Sequence, residues 1–137
     1  LDKGDTAWVA EAVGKVVKVI SALLKYLPPE YEYKVIFVRR SMAEILASQR
    51  KMLVHRGEDS AKMDDDDMAA LFEKHLAATE KWLAEQENVL VLYVHYSDVM
   101  VDPLTAAQKI NVFLGGQLNV TAMAGQIDPQ LYRNRQD

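Results

Sequence analysis

The stretch Tyr33–Ser48 reads YKVIFVRRSMAEILAS and changes from a β-branched run to a helical pattern within a few residues. Lys34–Val38 is short, apolar and rich in β-branched side chains, which is typical of a strand buried in a parallel sheet. Ser41 and Glu44 follow as the Ser-x-x-Glu pattern that caps the first turn of a helix. The stretch therefore predicts a strand that leads directly into a helix.

The same alternation extends along the chain in both directions. Two further β-rich runs, Lys15–Ile20 and Val89–Val94, are predicted to be buried parallel strands. Helical spacing of apolar residues predicts a long helix over Asp67–Gln86 and a later helix with Asp102 as its cap and Gly115–Gly116 as its stop. Strands that alternate with helices predict an α/β fold with a parallel sheet flanked by helices.

Composition narrows the class of protein. The chain has 137 residues and no cysteine, which is consistent with one domain over residues 1–137 and excludes disulfides, thiolate metal sites and a cysteine nucleophile. A net charge of -4 argues against a general nucleic-acid binder, which needs clustered basic residues. No run approaches the roughly 20 apolar residues of a membrane helix, and no signal peptide is evident. We therefore expect a cytoplasmic protein with no nucleic-acid or membrane partner.

One segment has little apolar content and carries four consecutive aspartates. Residues from about 57 to 66 are predicted to form a mobile loop, and Asp64–Asp67 follow or overlap its end. A Mg²⁺ or Ca²⁺ loop needs spaced ligands and a glycine turn, which four adjacent aspartates do not supply. Acidic residues stabilise the start of a helix, so a solvated helix start is the preferred interpretation.

The three histidines show no metal or triad spacing, because His55, His75 and His95 lie twenty residues apart. His75 lies on an apolar helix face, which indicates a hydrogen-bonded core histidine. His55 is near a helix C-terminus and is interpreted as a dipole partner. His95 follows a strand, where α/β proteins usually form their sites. Neither nucleotide-binding glycine motif, Gly-x-x-x-x-Gly-Lys-Ser/Thr or Gly-x-Gly-x-x-Gly, occurs, which argues against a small-molecule kinase.

The end of the Lys34–Val38 strand is a candidate anion-binding site. Arg39 and Arg40 follow the strand, and the next helix begins at the same place with its N–H groups and positive dipole end. Ser48 lies two turns along that helix, about 10 Å from Ser41, so a phosphate lying beside the helix could meet both. The alternative is that the arginines pair with surface carboxylates and Ser48 packs against a neighbour.

The segment resembles the 3′-phosphate motif of the sulfotransferases, in which an Arg ending a strand is followed by a Ser on the next helix. Arg40 and Ser48 match that pair, and Tyr96 matches the Tyr-x-Asp strand end whose Tyr contacts the adenine. The resemblance covers about residues 15–115. It implies a P-loop-type α/β fold, 3′-phosphoadenosine 5′-phosphosulfate as donor substrate, and sulfuryl transfer to the hydroxyl or amine of a small-molecule acceptor.

Parts of the family pattern are missing. No Ser-, Gly- and Thr-rich loop for the 5′-phosphosulfate precedes Lys15, and Ile20 stands where many members have a histidine base. The resemblance thus implies an incomplete fold that lacks the first, phosphate-loop strand. We expect the chain alone to have no catalytic residue, to bind the donor only weakly, and to expose strand edges open to self-association. The alternative function is a non-catalytic α/β module that binds a nucleotide, an anion or a partner.

Overall fold

The computed structural model describes residues 6–55, 64–128 and 130, which form helices and two strands. Strand β1 is Tyr33–Arg39 and strand β2 is Val89–His95, and the two pair in a parallel sheet. The helices are α1 Trp8–Glu11, a 3-10 helix Ser21–Tyr26, α2 Met42–His55, α3 Asp65–Glu85, α4 Tyr96–Val101, α5 Pro103–Phe113 and α6 Val120–Gly125. The predicted α/β class is confirmed at this level.

The contacts of the chain divide it into two compact units. Unit 1 comprises Leu1–Tyr33 and Leu71–Leu90, and unit 2 comprises Lys34–Ala70 and Val91–Asp137. Each unit has buried apolar residues of its own. A single domain over residues 1–137 stays a prediction.

Unit 1 buries apolar side chains from three of its elements. Val9 on α1, Leu24 on the 3-10 helix and Leu83 on α3 are buried, and Leu83 is 1% exposed. His75 lies half-buried on α3, and its Nε2 atom is 3.0 Å from the hydroxyl oxygen of Ser21. The predicted hydrogen bond of His75 is therefore confirmed, but the residue lies at the margin of the core rather than within it.

The turn before β1 is held by side chains of the same unit. The Tyr33 hydroxyl donates a hydrogen bond to the Pro28 carbonyl at 2.6 Å, and the Asn88 amide donates to the Tyr31 carbonyl at 2.8 Å. Burial raises the pKa of the Tyr33 hydroxyl, and the nearby Glu30 and Tyr31 add to the rise. These bonds hold the hydroxyl as a donor and hold the start of β1 beside Asn88, whose carbonyl accepts from the Tyr33 amide.

Unit 2 contains the ends of both strands, and alternate side chains point to opposite faces of the sheet. On one face the rings of Phe37 and Tyr93 contact each other, with centroids 5.6 Å apart. On the other face the Lys34 ammonium lies 6.0 Å from the ring centroid of Phe113, a residue of α5. Helix α5 buries Ala106 and Ala107, and it packs against α4 and α6.

Helix starts agree with the capping signals in the sequence. The amide of Glu44 donates to the Ser41 hydroxyl at 3.2 Å, which confirms the predicted start of α2. The amide of Asp67 donates to the Asp64 carboxylate at 2.8 Å, so the aspartate run begins helix α3, as the preferred interpretation has it. Asp102 caps α5 and accepts from the amide of Thr105 at 3.2 Å.

The predicted mobile loop at about 57–66 falls mainly outside the described residues. Residues 56–63 are not described, and the side chain of His55 is not described either, so its proposed dipole role stays a prediction. From Asp65 onward the chain is helical. The helix therefore begins two residues before the predicted Asp67.

The predicted strand at Lys15–Ile20 is wrong. These residues pair with neither β1 nor β2, and Val16 and Ile20 are 88% and 67% exposed. The left-handed backbone of Gly14, with φ 78°, turns the chain just before the run. β-Branched residues favour an extended backbone, but a strand also needs a neighbour for its N–H and C=O groups. The run is therefore extended at Ile20 without being part of the sheet.

The expectation that β1 and β2 are buried throughout is also wrong. Phe37 and Val94 are buried, whereas Val38 is 51% exposed and Leu90 is 61% exposed. Continuous apolar strands are fully buried only where helices cover both faces and a further strand lies at each edge. In the part of the chain that the structure describes, the sheet has two strands, so each has an edge without a strand beside it.

Candidate functional site

The carboxyl ends of β1 and β2 bring two of the predicted site residues together. Arg40 follows β1, and Tyr96 is the first residue of α4, directly after β2. The guanidinium carbon of Arg40 lies 4.2 Å from the centroid of the Tyr96 ring, which is a close cation–π contact. The sequence predicted Tyr96 at a strand end, and in the structure the strand stops at His95 and Tyr96 begins α4.

The Arg40 guanidinium also pairs with a buried carboxylate. Its Nε atom donates to Oε2 of Glu44 at 3.3 Å, one turn into α2. Glu44 is 3% exposed, so this carboxylate is withdrawn from water. The alternative prediction, that the arginines pair with surface carboxylates, therefore holds for Arg40 in part: it pairs with a carboxylate, but the carboxylate is buried.

The two arginines rest on different aromatic rings. The guanidinium carbon of Arg39 lies 3.9 Å from the centroid of the Tyr93 ring, whereas Arg40 lies over Tyr96. Adjacent residues at the end of an extended strand project to opposite sides, which accounts for the separate rings. A stacked guanidinium keeps its charge and its in-plane N–H donors. The strand thus delivers two cations at its carboxyl end, as predicted, each already oriented by a ring.

Ser48 stands apart from this pair along helix α2. It is half-buried, and it lies two turns from the capping residue Ser41, or about 10 Å along the helix axis. A ligand that touches both Ser48 and the start of the helix must therefore lie along α2. The structure brings Arg40 and Tyr96 into contact and places Ser48 further along α2.

A histidine and a serine beside the site form a pair that the sequence did not predict. His95 ends β2, and its Nδ1 atom is 2.7 Å from the hydroxyl oxygen of Ser97. The bond fixes the orientation of the imidazole ring. His95 was singled out for its place after a strand, but no sequence signal indicated Ser97. The roles of Glu44 and Tyr93 were also missed. Tyr93 meets Arg39 only because two strands that are distant in sequence pair, whereas Glu44 is four residues from Arg40 and was interpreted only as part of the helix cap.

Other features of the described residues lie elsewhere or offer no metal chemistry. An open apolar groove of about 480 Å³ in unit 2 is lined by Leu92, Gln108, Lys109, Val112 and Phe113, so it contains none of the predicted site residues. Within residues 6–55, 64–128 and 130, no three His, Asp or Glu side chains lie together as metal ligands would. Helices long and apolar enough to cross a membrane are also absent from those residues.

Comparisons with known proteins give no relative. No family model matches the chain, and neither a curated protein nor a solved structure matches it. The class that can be stated is a mixed α/β protein with basic and aromatic side chains at the carboxyl ends of two parallel strands.

Proposed function

We propose that the chain is a sulfotransferase-family protein in which Arg40 and Ser48 hold the 3′-phosphate and Tyr96 the adenine of 3′-phosphoadenosine 5′-phosphosulfate. In its complete form such a protein transfers the sulfuryl group to an acceptor hydroxyl or amine. The observation that carries the proposal is the 4.2 Å contact between the Arg40 guanidinium and the Tyr96 ring.

The contact matters because the two ligand groups belong to one nucleoside. The base and the 3′-phosphate are attached to the same ribose, so the side chains that bind them must lie within a few ångströms of each other. Arg40 and Tyr96 are 56 positions apart in the sequence, and only the pairing of β1 with β2 makes them neighbours. The start of α2 adds N–H groups and a positive dipole end beside Arg40, which favour a phosphate there.

The affinity of Arg40, Ser48 and Tyr96 for the nucleotide follows from their individual contacts. An Arg–phosphate contact and a Ser hydrogen bond contribute roughly 3 to 5 kcal/mol together, and stacking on Tyr96 adds about 1 to 2 kcal/mol. Association costs about 4 kcal/mol or more, so net binding is on the order of millimolar. Ile20, which stands at the family's base position, lies outside the sheet and is 67% exposed. The proposal therefore predicts weak donor binding and no turnover by this chain.

Ligand-observed NMR tests the proposal, because it detects millimolar binding. The ligands are adenosine 3′,5′-bisphosphate and adenosine 5′-monophosphate, which differ only in the 3′-phosphate. The proposal predicts a several-fold preference for the bisphosphate that Arg40→Ala abolishes. Arg50→Ala is the matched control, because Arg50 lies on the same helix and bonds to Asp65 at 2.7 Å. Equal binding of both ligands, or loss of the preference in the control alone, would contradict the proposal.

A second function is favoured by one observation. The buried Glu44 carboxylate already pairs with Arg40. This arrangement is as typical of a structural ion pair as of a phosphate site. On this view the chain is a non-catalytic α/β module that has kept the fold and binds a partner or a simple anion. Equal affinity for the two nucleotides, with Arg40→Ala lowering the thermal midpoint, would favour this second function.

A further inference from the structure

Glu44 lies at the start of α2, a part of the proposed site that attracts an anion. It is the third residue after the capping Ser41, so its carboxylate lies in the first turn of α2. That turn is the positive end of the helix dipole, where a carboxylate or a phosphate is stabilised. The same carboxylate accepts a hydrogen bond from Nε of Arg40 at 3.3 Å. The Glu44 carboxylate is thus attracted by both the helix dipole and the Arg40 guanidinium, which are the two groups that would attract a phosphate.

Burial strengthens the competition between Glu44 and a bound phosphate for the Arg40 guanidinium. The side chain of Glu44 is 5% exposed and that of Arg40 is 25% exposed, so water screens the interaction less than at an open surface. A second anion beside the Arg40 guanidinium is attracted by it and repelled by Glu44 at nearly the same distance. The repulsion grows with the charge of the ligand, so it falls most heavily on a doubly charged phosphate.

We propose that Glu44 is a specificity-determining residue of the nucleotide site. It acts as a counter-ion of Arg40, and an incoming 3′-phosphate must either displace it or share Arg40 with it. This inference rests on the proposed function, since it names the residue that limits affinity at the same site. Glu44 sets how weakly the chain binds a 3′-phosphate, and removing its charge strengthens that binding.

The test is the affinity of Glu44→Gln for adenosine 3′,5′-bisphosphate. Glutamine keeps the shape of the side chain and an acceptor oxygen for Arg40, but it carries no charge. We expect the dissociation constant of the bisphosphate to fall on the order of tenfold, and that of adenosine 5′-monophosphate to change less. Glu73→Gln is the matched control, because Glu73 is exposed on α3 and the net charge changes equally. An affinity in Glu44→Gln equal to or weaker than the wild type overturns the inference.

A double variant keeps the inference falsifiable if the single change also alters folding. In Arg40→Ala/Glu44→Gln there is no guanidinium for which Glu44 and a phosphate could compete. This double variant should therefore bind the bisphosphate no more tightly than Arg40→Ala alone does. A gain that persists without Arg40 overturns the counter-ion role. Thermal melts of each variant by circular dichroism confirm that the compared proteins are folded.

The outcomes separate the inference from the proposed function. The ratio of affinities between Glu44→Gln and wild type tests Glu44, and the ratio between the two nucleotides tests the 3′-phosphate site. If Glu44→Gln tightens the binding of both nucleotides equally, the specificity role of Glu44 is wrong, whereas the preference of the wild type for one nucleotide still decides the 3′-phosphate site. If the wild type prefers the bisphosphate and Glu44→Gln adds nothing, the site stands and the role of Glu44 is wrong.

Discussion

At the scale of single residues, the site depends on how one guanidinium is shared. Arg40 lies between the ring of Tyr96 and the carboxylate of Glu44, and each of these neighbours has a different consequence. The ring orients the guanidinium without neutralising it, whereas the carboxylate neutralises it. The chemistry available at the strand ends therefore depends on Glu44 as much as on Arg40, although the sequence pattern marked Glu44 only as part of a helix cap.

A second residue-scale feature, the cap of α5, predicts a pH dependence. A hydrogen bond from the Thr105 hydroxyl, at 2.6 Å, lowers the pKa of the Asp102 carboxyl below its ordinary 3.8, and the bond from the Thr105 amide adds to this. Because the pKa is lower in the folded state, the stabilisation is present above pH 3.8 and is lost as the pH falls through the folded pKa. Asp102→Ala should therefore lower the thermal midpoint at neutral pH, and the gap should shrink below about pH 4.

Thermal melts of wild type and Asp102→Ala between about pH 7 and pH 3 check this prediction. Asp102→Asn is the control, because asparagine also caps helices but does not titrate. The thermal midpoints of Asp102→Asn and the wild type should become equal as Asp102 becomes protonated. A gap between wild type and Asp102→Ala that is constant or that widens in acid would show that the charge of Asp102 contributes nothing.

At the scale of elements, the end of α5 depends on backbone conformations that favour glycine. Gly116 has φ 84°, in the left-handed region, and its amide donates to the Asn111 carbonyl at 2.8 Å. Nothing lies within 4 Å of a Cβ built there, so an alanine would meet backbone strain but no clash. Gly116→Ala should cost about 1 kcal/mol in the free energy of unfolding.

Gly125 provides the contrast for this prediction. It is the last residue of α6, it is not in the left-handed region, and a Cβ there also meets nothing within 4 Å. Gly125→Ala should be neutral or stabilise the protein by up to about 1 kcal/mol, because alanine favours helix. Urea unfolding of both variants measures the difference. Equal effects of the two substitutions would show that left-handed backbone at Gly116 does not matter.

The elements also show which predictions a sequence can support. The starts of α2 and α5 were predicted because a capping side chain bonds to an amide within three residues, so the cause is local in sequence. The strand at Lys15–Ile20 was predicted wrongly because composition favours extension, whereas pairing depends on a distant partner. From the sequence, Arg40 and Tyr96 could each be placed at the end of a strand. Neither the contact between them nor the burial of Glu44 could be predicted.

At the scale of the whole molecule, large apolar side chains are exposed in several parts of the described chain. Val16 is 88% exposed and Ile20 is 67% exposed within a β-prone run that pairs with no described strand. Such runs associate readily with strand edges of other molecules. We therefore predict that the average mass of the chain rises with concentration, and that Val16→Lys/Ile20→Lys suppresses the rise.

Sedimentation equilibrium over a range of protein concentrations measures this association. Ala77→Lys/Ala84→Lys is the control, because both alanines are exposed on α3 and the net charge changes by the same amount. The control should associate as the wild type does. A wild-type mass that is independent of concentration, or equal suppression by both double variants, would contradict a role for the 15–20 run.

The claim that the carboxyl ends of β1 and β2 form a nucleotide site is tested most directly by chemical-shift mapping with adenosine 3′,5′-bisphosphate. In ¹⁵N-labelled protein we expect the largest shifts at residues 39–48 and 93–98, with the Arg40 Nε–Hε signal among them. Arg40→Ala should remove these shifts, and adenosine 5′-monophosphate should produce smaller ones. Shifts that are absent, or that concentrate around Lys109 and Phe113 in the apolar groove, would contradict the proposed site.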